Sequence, residues 1–385
     1  MNLTILISDL VAARKLLTRI RFERLTLPVL THVLATVDAA GLSLAVTDLD
    51  HWLETRLSAA VDPFAPARFL IPADALKAAA GGDKRSRAHF AFATTPEGTT
   101  LTLTVPRGGM NVVSVHHPQP VEEFPERPTV GGGVSAMSKE TFAALRTVAG
   151  CASTDATRYV LNGVLFSPDD GGTLVATNGR VLAVAPVRFT APEFILPSTA
   201  VRVLVHPDFA VRDAAICQEA ANESVTRVVF RSGPHTLVAK TIEGAYPNYR
   251  QVIPREHTAE AVIPETHRPA LVTWLRSLSG RRGPVILTTP VPDNLDITLD
   301  DPDSETATIR VPATVTGRLP VIAFDPAHLA DALGIGSALR FTDGLSATLL
   351  TSPDGTLGVL MPTRCHASTA INHAPALPAT QPAAA

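Results

Sequence analysis

The side chains of this chain that could do chemistry are scattered. His116 and His117 are adjacent, as in some metal sites, but no carboxylate or cysteine lies where it would complete a ligand set. Histidines, serines and aspartates are plentiful, yet no serine sits in a Gly-x-Ser-x-Gly turn. Asn178-Gly179 reads as a tight turn between strands, and Gly131-Gly132-Gly133 as a linker. Neither is followed by the Gly-Lys-Ser/Thr of a phosphate loop. Cys151, Cys217 and Cys365 are far apart, with no metal-ligand or redox spacing between them. No metal or cofactor is expected. The cations near the N-terminus are more organised: Arg14, Lys15, Arg19 and Arg21, followed by Arg24. Lys15 and Arg19 are one helical turn apart and share a face. Such a face can attract phosphates without reading sequence, although charged helix faces are more often plain solvated surface.

The elements that must hold these residues recur. A strand running into a short helix appears as Phe69-Leu-Ile-Pro-Ala-Asp-Ala-Leu76, Phe194-Ile-Leu-Pro-Ser-Thr-Ala-Val201 and Ile322-Ala-Phe-Asp-Pro-Ala-His-Leu329. Aligned on Pro72, Pro197 and Asp325, the copies are 125 and 128 residues apart. That period is the size of a domain, not of a solenoid unit. Each copy opens with a strand and an amphipathic helix. The first helix starts near Ser8, with Leu10, Ala13, Leu16 and Leu17 at helical spacing. The second is capped by Ser138 and carries Phe142, Leu145 and Val148. The third is expected to be capped by Thr266, with Pro269 in its first turn and Leu271, Trp274, Leu275 and Leu278 inward. Alternating strands follow, such as 42–47, 100–105, 173–177, 235–240, 295–299 and 347–350. The expected fold is α+β, with two helices and many antiparallel strands per repeat.

Two breaks separate the copies: the Pro- and Gly-rich stretch 118–133 and the segment 254–260. Glu122-Glu-Phe-Pro125, within the first, matches Gly244-Ala-Tyr-Pro247, just before the second, so the breaks fall at equivalent places. The expected domains are therefore 1–125, 130–254 and 258–364. Residues 365–385 form an Ala/Pro-rich tail, expected to be disordered.

The composition is that of an ordinary globular protein, 45% hydrophobic and 18% charged over 385 residues. No apolar run reaches the roughly 18 residues of a membrane span, and the N-terminus lacks the basic region of a signal peptide. A cytoplasmic home is expected. A net charge of −3 speaks against an entirely basic, nucleic-acid-coating surface but permits a local basic face. Aromatics are 5% of the chain, too few for base-stacking platforms.

Five segments, in order, carry a resemblance: Thr26-Leu-Pro-Val-Leu30, Arg158-Tyr-Val-Leu-Asn-Gly-Val-Leu-Phe166, Val175-Ala-Thr-Asn-Gly-Arg-Val-Leu-Ala-Val184, Gly244-Ala-Tyr-Pro-Asn-Tyr-Arg-Gln-Val-Ile-Pro254 and Leu360-Met-Pro-Thr-Arg364. Together they resemble the bacterial DNA sliding clamp, the beta subunit of DNA polymerase III, from residue 1 to about 364. The resemblance implies three repeated clamp domains and a head-to-tail homodimer that closes into a ring around duplex DNA. It implies a non-catalytic processivity factor that tethers DNA polymerase, clamp loader and repair proteins through short linear peptides, with no membrane partner. An encircling protein is retained by topology, so weak phosphate attraction suffices. The alternative is a peptide-binding scaffold, or an enzyme, on the same fold that does not encircle DNA.

Carried over by position, the family's peptide pocket maps to Leu161, Thr177, Gly179, Arg180, Val181, Leu182, Pro247, Gln251, Val252, Val359, Met361, Pro362, Thr363 and Arg364. Apolar groups and a methionine would form an adaptable floor for a Leu or Phe of the ligand. The DNA-facing set is Arg14, Lys15, Arg19, Arg24, Lys77, Arg146, Arg158 and Arg202. The dimer contact falls near Asn111 to Val115 and Ser277 to Arg282. The chain departs from the family at Val181 and Gln251, where a basic residue is usual, and at Thr363, Ser198 and Thr199. Its third strand–helix lacks any Lys or Arg, and the tail runs on past Arg364. These departures imply a divergent or accessory member. A tail starting beside the pocket could also compete with incoming peptides.

Overall fold

The computed structural model describes residues 1–20, 27–62, 66–96, 98–130, 134–188, 192–209, 214–221, 224–278, 280–281, 283–301 and 307–364. Arg21, Arg24, Thr26, the 131–133 linker, Arg282, Cys365 and the 365–385 tail lie outside the described residues.

The first repeat contains β1 (Asn2–Leu6), α1 (Ile7–Leu17), β2 (His32–Asp38), β3 (Gly41–Thr47), β4 (His51–Leu57), β5 (Ala59–Asp62), β6 (Ala67–Pro72), α2 (Ala73–Ala80), β7 (Arg87–Thr95), β8 (Gly98–Arg107) and β9 (Met110–His116). The second contains β10 (Val134–Met137), α3 (Lys139–Ala149), β11 (Gly163–Ser167), β12 (Thr173–Thr177), β13 (Val181–Pro186), β14 (Phe194–Pro197), α4 (Ser198–Leu204), β15 (Ala214–Ala221), β16 (Ser224–Ser232) and β17 (His235–Lys240). The third contains β18 (Ala259–Val262), α5 (Arg268–Ser277), β19 (Val285–Thr288), β20 (Asn294–Leu299), β21 (Thr308–Pro312), β22 (Thr314–Thr316), β23 (Ile322–Phe324), α6 (Pro326–Leu333), β24 (Ala338–Phe341), β25 (Thr348–Thr351) and β26 (Leu357–Leu360). This is the expected α+β pattern, with two helices and antiparallel sheets in each copy.

In every repeat the two helices pack on each other: α1 on α2, α3 on α4, α5 on α6. The inward faces are the apolar stripes read from the sequence. Leu10, Ala13, Leu16 and Leu17 of α1 are buried, as are Phe142, Leu145 and Val148 of α3. Alanines Ala75 and Ala79 on the buried face of α2 allow close approach. Ser138 caps α3, its hydroxyl accepting from the Thr141 amide at 3.2 Å. Thr266 does not cap α5. A turn from Pro264 to His267 intervenes, the first helical bond runs from the Leu271 amide to the His267 carbonyl, and the helix begins at Arg268 with Pro269 in its first turn.

Packing divides the chain into two compact units, one of residues 1–149, 162–173 and 187–245, the other of 150–161, 174–186 and 246 onward. These units follow contact density, whereas the domains expected from the sequence follow repetition. In the first unit lie a five-stranded sheet, β5-β1-β7-β8-β9, and an eight-stranded sheet, β10-β15-β16-β17-β4-β3-β2-β6. In the second lie the run β13-β26-β25-β24-β18-β22 and a four-stranded sheet, β21-β20-β19-β23.

One pairing rule operates twice. β17, the last strand of the second repeat, pairs with β4, the fourth strand of the first, with Val238 opposite Trp52. β26, the last strand of the third repeat, pairs with β13, the fourth strand of the second, with Val359 opposite Leu182. The second and third repeats thus each lend their last strand to the sheet of the repeat before.

Candidate functional site

The site is built on the turn between β12 and β13. Asn178 organises it: its side-chain oxygen accepts from the amides of Arg180 and Val181, both at 2.8 Å. The Thr177 hydroxyl donates to the Val181 carbonyl at 2.8 Å and accepts from the Gly179 amide at 3.0 Å. Gly179 has φ +84°, the left-handed conformation that favours glycine. The tight turn expected at Asn178-Gly179 is therefore present. The Met361 amide donates to the Arg180 carbonyl at 2.9 Å, which carries the chain past the end of β26 and along the turn.

Between this turn, β26 and the short helical turn Tyr249–Val252 lies a cavity of about 220 Å³. It is lined by Leu161, Thr177, Gly179, Arg180, Val181, Leu182, Pro247, Asn248, Tyr249, Val252, Val359 and Met361. Leu161, Val181, Leu182 and Val359 form a buried floor, while Val252 and Met361 are exposed at the mouth. Beneath it, burial pushes the Tyr246 phenol well above its usual range and the Cys151 thiol up to about 12. Both stay neutral and serve as packing. A buried aliphatic floor with Val252 and Met361 at its mouth suits a short apolar side chain delivered by a peptide.

Ten of the fourteen residues carried over by position line this cavity. Gln251 is exposed on the same helical turn but does not line it. Pro362 follows Met361 away from it. Thr363 turns to β23, its amide donating to the Ala323 carbonyl at 2.8 Å, and borders a separate cavity of about 380 Å³ with Asp325 and Pro326. Arg364 is exposed. Asn248 and Tyr249 line the cavity although the sequence does not single them out. Their only signal is membership of the Gly244–Pro254 segment that carries the resemblance.

The same turn exists one repeat earlier, over a packed aromatic core. The Thr47 hydroxyl donates to the His51 carbonyl at 2.7 Å, and the Asp48 carboxylate accepts from the His51 amide at 2.7 Å. Leu49, at φ +77°, stands where Gly179 stands. Here Trp52 takes the place of Leu182 and Phe124 that of Tyr246. The two rings meet edge to face at 6.0 Å, packed among Leu34, Leu70, Val229 and Val238. The first junction is a filled core and the second an open cavity.

The basic residues fall in two groups. Lys15 on α1, Lys77 on α2, Arg146 on α3 and Arg202 on α4 are exposed on the faces away from the core, with Arg19 exposed just after α1 and Arg14 half-buried. Arg158 is elsewhere. Its guanidinium lies 3.5 Å from the Asn178 carbonyl and 3.7 Å from Asp155, beside the turn that borders the cavity. On the third helix pair, Arg276 of α5 faces Asp331 of α6 at 3.8 Å, and Arg268 pairs with Glu265 at 2.8 Å. Among the described residues, no group of His, Cys, Asp and Glu is placed to hold a metal ion. His116 is engaged with the Ser114 hydroxyl at 2.9 Å. No helix among the described residues is long and apolar enough to cross a membrane.

No protein-family model matches the chain. The beta sliding clamp of Caulobacter vibrioides is 26% identical over 366 residues, covering 89% of this chain and 94% of its own. That of Synechococcus elongatus is 29% identical over 331 residues, covering 82% and 84%. The crystal structure of the C. crescentus beta sliding clamp has a TM-score of 0.79 at 25% identity, over 95% of this chain and 99% of that one. The chain is a relative of the bacterial sliding clamps. Its fold is the clamp fold, which it shares over its length with the Bartonella birtlesii sliding clamp bound to griselimycin, at a TM-score of 0.77 and 24% identity. The kinship is with a non-catalytic protein of DNA replication.

Proposed function

We propose that this chain is a DNA sliding clamp: a homodimeric ring that encircles duplex DNA and tethers a polymerase, clamp loader and repair proteins through peptides seated in the 220 Å³ cavity. The observation that carries this reading is the pairing rule. β17 joins β4 and β26 joins β13, so the rule leaves β9 and β21 without their counterparts. Each lies at the end of its sheet. β9 exposes Met110, Val112, Val113 and Val115, more apolar surface than a solvated edge strand usually carries. A second copy can supply β21 to β9 and receive β9 on β21 in return. Such a head-to-tail contact closes after two copies and gives six like units around one axis. The 111–115 contact expected from the sequence lies within β9, and the pairing rule points to β21 in addition to the 277–282 region.

Retention on DNA tests the encirclement. Once loaded by a clamp loader, the protein should stay on nicked circles and be lost from the same DNA after linearisation. Equal retention on both forms would mean ordinary surface binding. Absence from both, with peptide binding intact, would favour the scaffold reading.

A further inference from the structure

The strand that precedes the second helix of each repeat has one free side, and two of the three repeats close it with their own chain. In the second repeat the Ile242 amide donates to the Ile195 carbonyl of β14 at 2.9 Å. In the third the Thr363 amide donates to the Ala323 carbonyl of β23 at 2.8 Å. Ile195 and Ala323 align with Leu70 of β6. Counting back from the matched Phe124-Pro125 and Tyr246-Pro247, the residue that aligns with Ile242 is Pro120. Proline has no amide proton to donate.

The consequence is visible at β6. Pro72 opposes His32 across β2 and cannot donate to it, so its backbone faces away from β2. By the two-residue period of a strand, Leu70 and Arg68 also turn their N–H and C=O groups outward. Among the described residues no backbone N–H crosses to Leu70. The segment from His117 to Pro120 is held off instead, with the Gln119 amide 3.4 Å from Nε2 of His32. What remains is a groove of about 870 Å³ between β6 and the β7–β8 hairpin. Phe69 and Phe92 form its floor, their rings 4.1 Å apart, the Leu70 backbone runs along its edge, and Thr94, Thr99 and Thr100 of the hairpin line its far side.

We propose that this groove binds an extended segment of a partner protein as an added strand on β6. The occupant is defined by what fills the equivalent place elsewhere in the chain: a short extended stretch such as Thr241-Ile242-Glu243, whose central amide reaches the Leu70 carbonyl and whose two flanking side chains turn to the phenylalanine floor. Main-chain bonds supply the affinity and the apolar floor the selectivity. This site is separate from the 220 Å³ cavity and does not depend on ring closure.

The test uses the full chain and a blocked peptide copying residues 238–244. Titration should show saturable binding, and exchange of the Leu70 amide should slow in the complex. Pro120→Ile restores the missing donor and lets the chain fill its own groove. Arg68→Pro removes an outward donor at an edge position where proline is tolerated. Each variant should weaken the peptide about tenfold, the scale of one backbone hydrogen bond. No saturable binding, unchanged Leu70 exchange, or unchanged affinity in both variants overturns the proposal. Concentration-dependent self-association abolished by Pro120→Ile would overturn the partner assignment and make a second copy the occupant.

Discussion

Leu182 and Trp52 hold the same position in successive repeats, each opposite a valine of the neighbouring strand, and their difference in size decides which junction is open. Trp52 is 3% exposed and its ring closes the first junction, whereas Leu182 leaves a cavity at the second. Replacing Trp52 with Leu should destabilise the fold by about 2–4 kcal/mol, as for large-to-small changes in a packed core. It should also create a second apolar recess beneath the Asp48 turn. Calorimetric titration with a peptide that fills the 220 Å³ cavity should then move from one site per chain toward two. A folded Trp52→Leu protein that still binds one peptide per chain would show that the turn and its neighbours, not ring volume, define the site. Much of the open cavity was legible because its residues sit in short segments with a recognisable order. The plug was not, because an aromatic residue at a strand position reads the same whether it fills a junction or lines one. The position of Arg158 was missed for a related reason. A guanidinium beside a turn looks, in sequence, like any other exposed cation.

At the scale of elements, the helices and most strands follow from spacing alone, because burial of one face imposes a period of 3.6 or 2. The pairing of β17 with β4 and of β26 with β13 does not follow, since a strand's sequence does not name its neighbour across a repeat boundary. Nor does the sequence show that Pro120 leaves the outer side of β6 without a partner among the described residues; that needs the other two repeats in place for comparison. The edge strand β9 gives the clearest prediction. Val113 and Val115 are 59% and 57% exposed, and neither is needed for the core of its own sheet. The double change Val113→Lys and Val115→Lys should leave the fold and thermal stability nearly unchanged while weakening dimerisation by about a hundredfold or more, because edge lysines oppose strand addition. Sedimentation over a range of concentrations reads this directly. If the lysine variant dimerises as the parent does, β9 is not the contact.

For the whole molecule, the proposed function raises the question of how a chain with a net charge of −3 would hold DNA at all. The helices of the first two repeats present Lys15, Lys77, Arg146 and Arg202 outward, whereas the third pair sets Arg276 against Asp331. In the proposed ring the attraction would therefore be weighted toward the helices of the first two repeats and be patchy, which suits sliding better than tight binding. Salt dependence measures it. Removing one cation from a phosphate should reduce the slope of log affinity against log salt by about 0.9. Reversing Lys15 and Arg19 together to Glu should thus flatten the slope by about one to two, since both lie exposed at the same end of α1. Arg276→Glu should change it far less, because that guanidinium is already offset by a carboxylate 3.8 Å away. Equal effects from the two changes would mean that DNA meets the protein through a surface other than these helices. A ring retained on circles despite the Lys15 and Arg19 reversals would show topology, not charge, to be the source of retention.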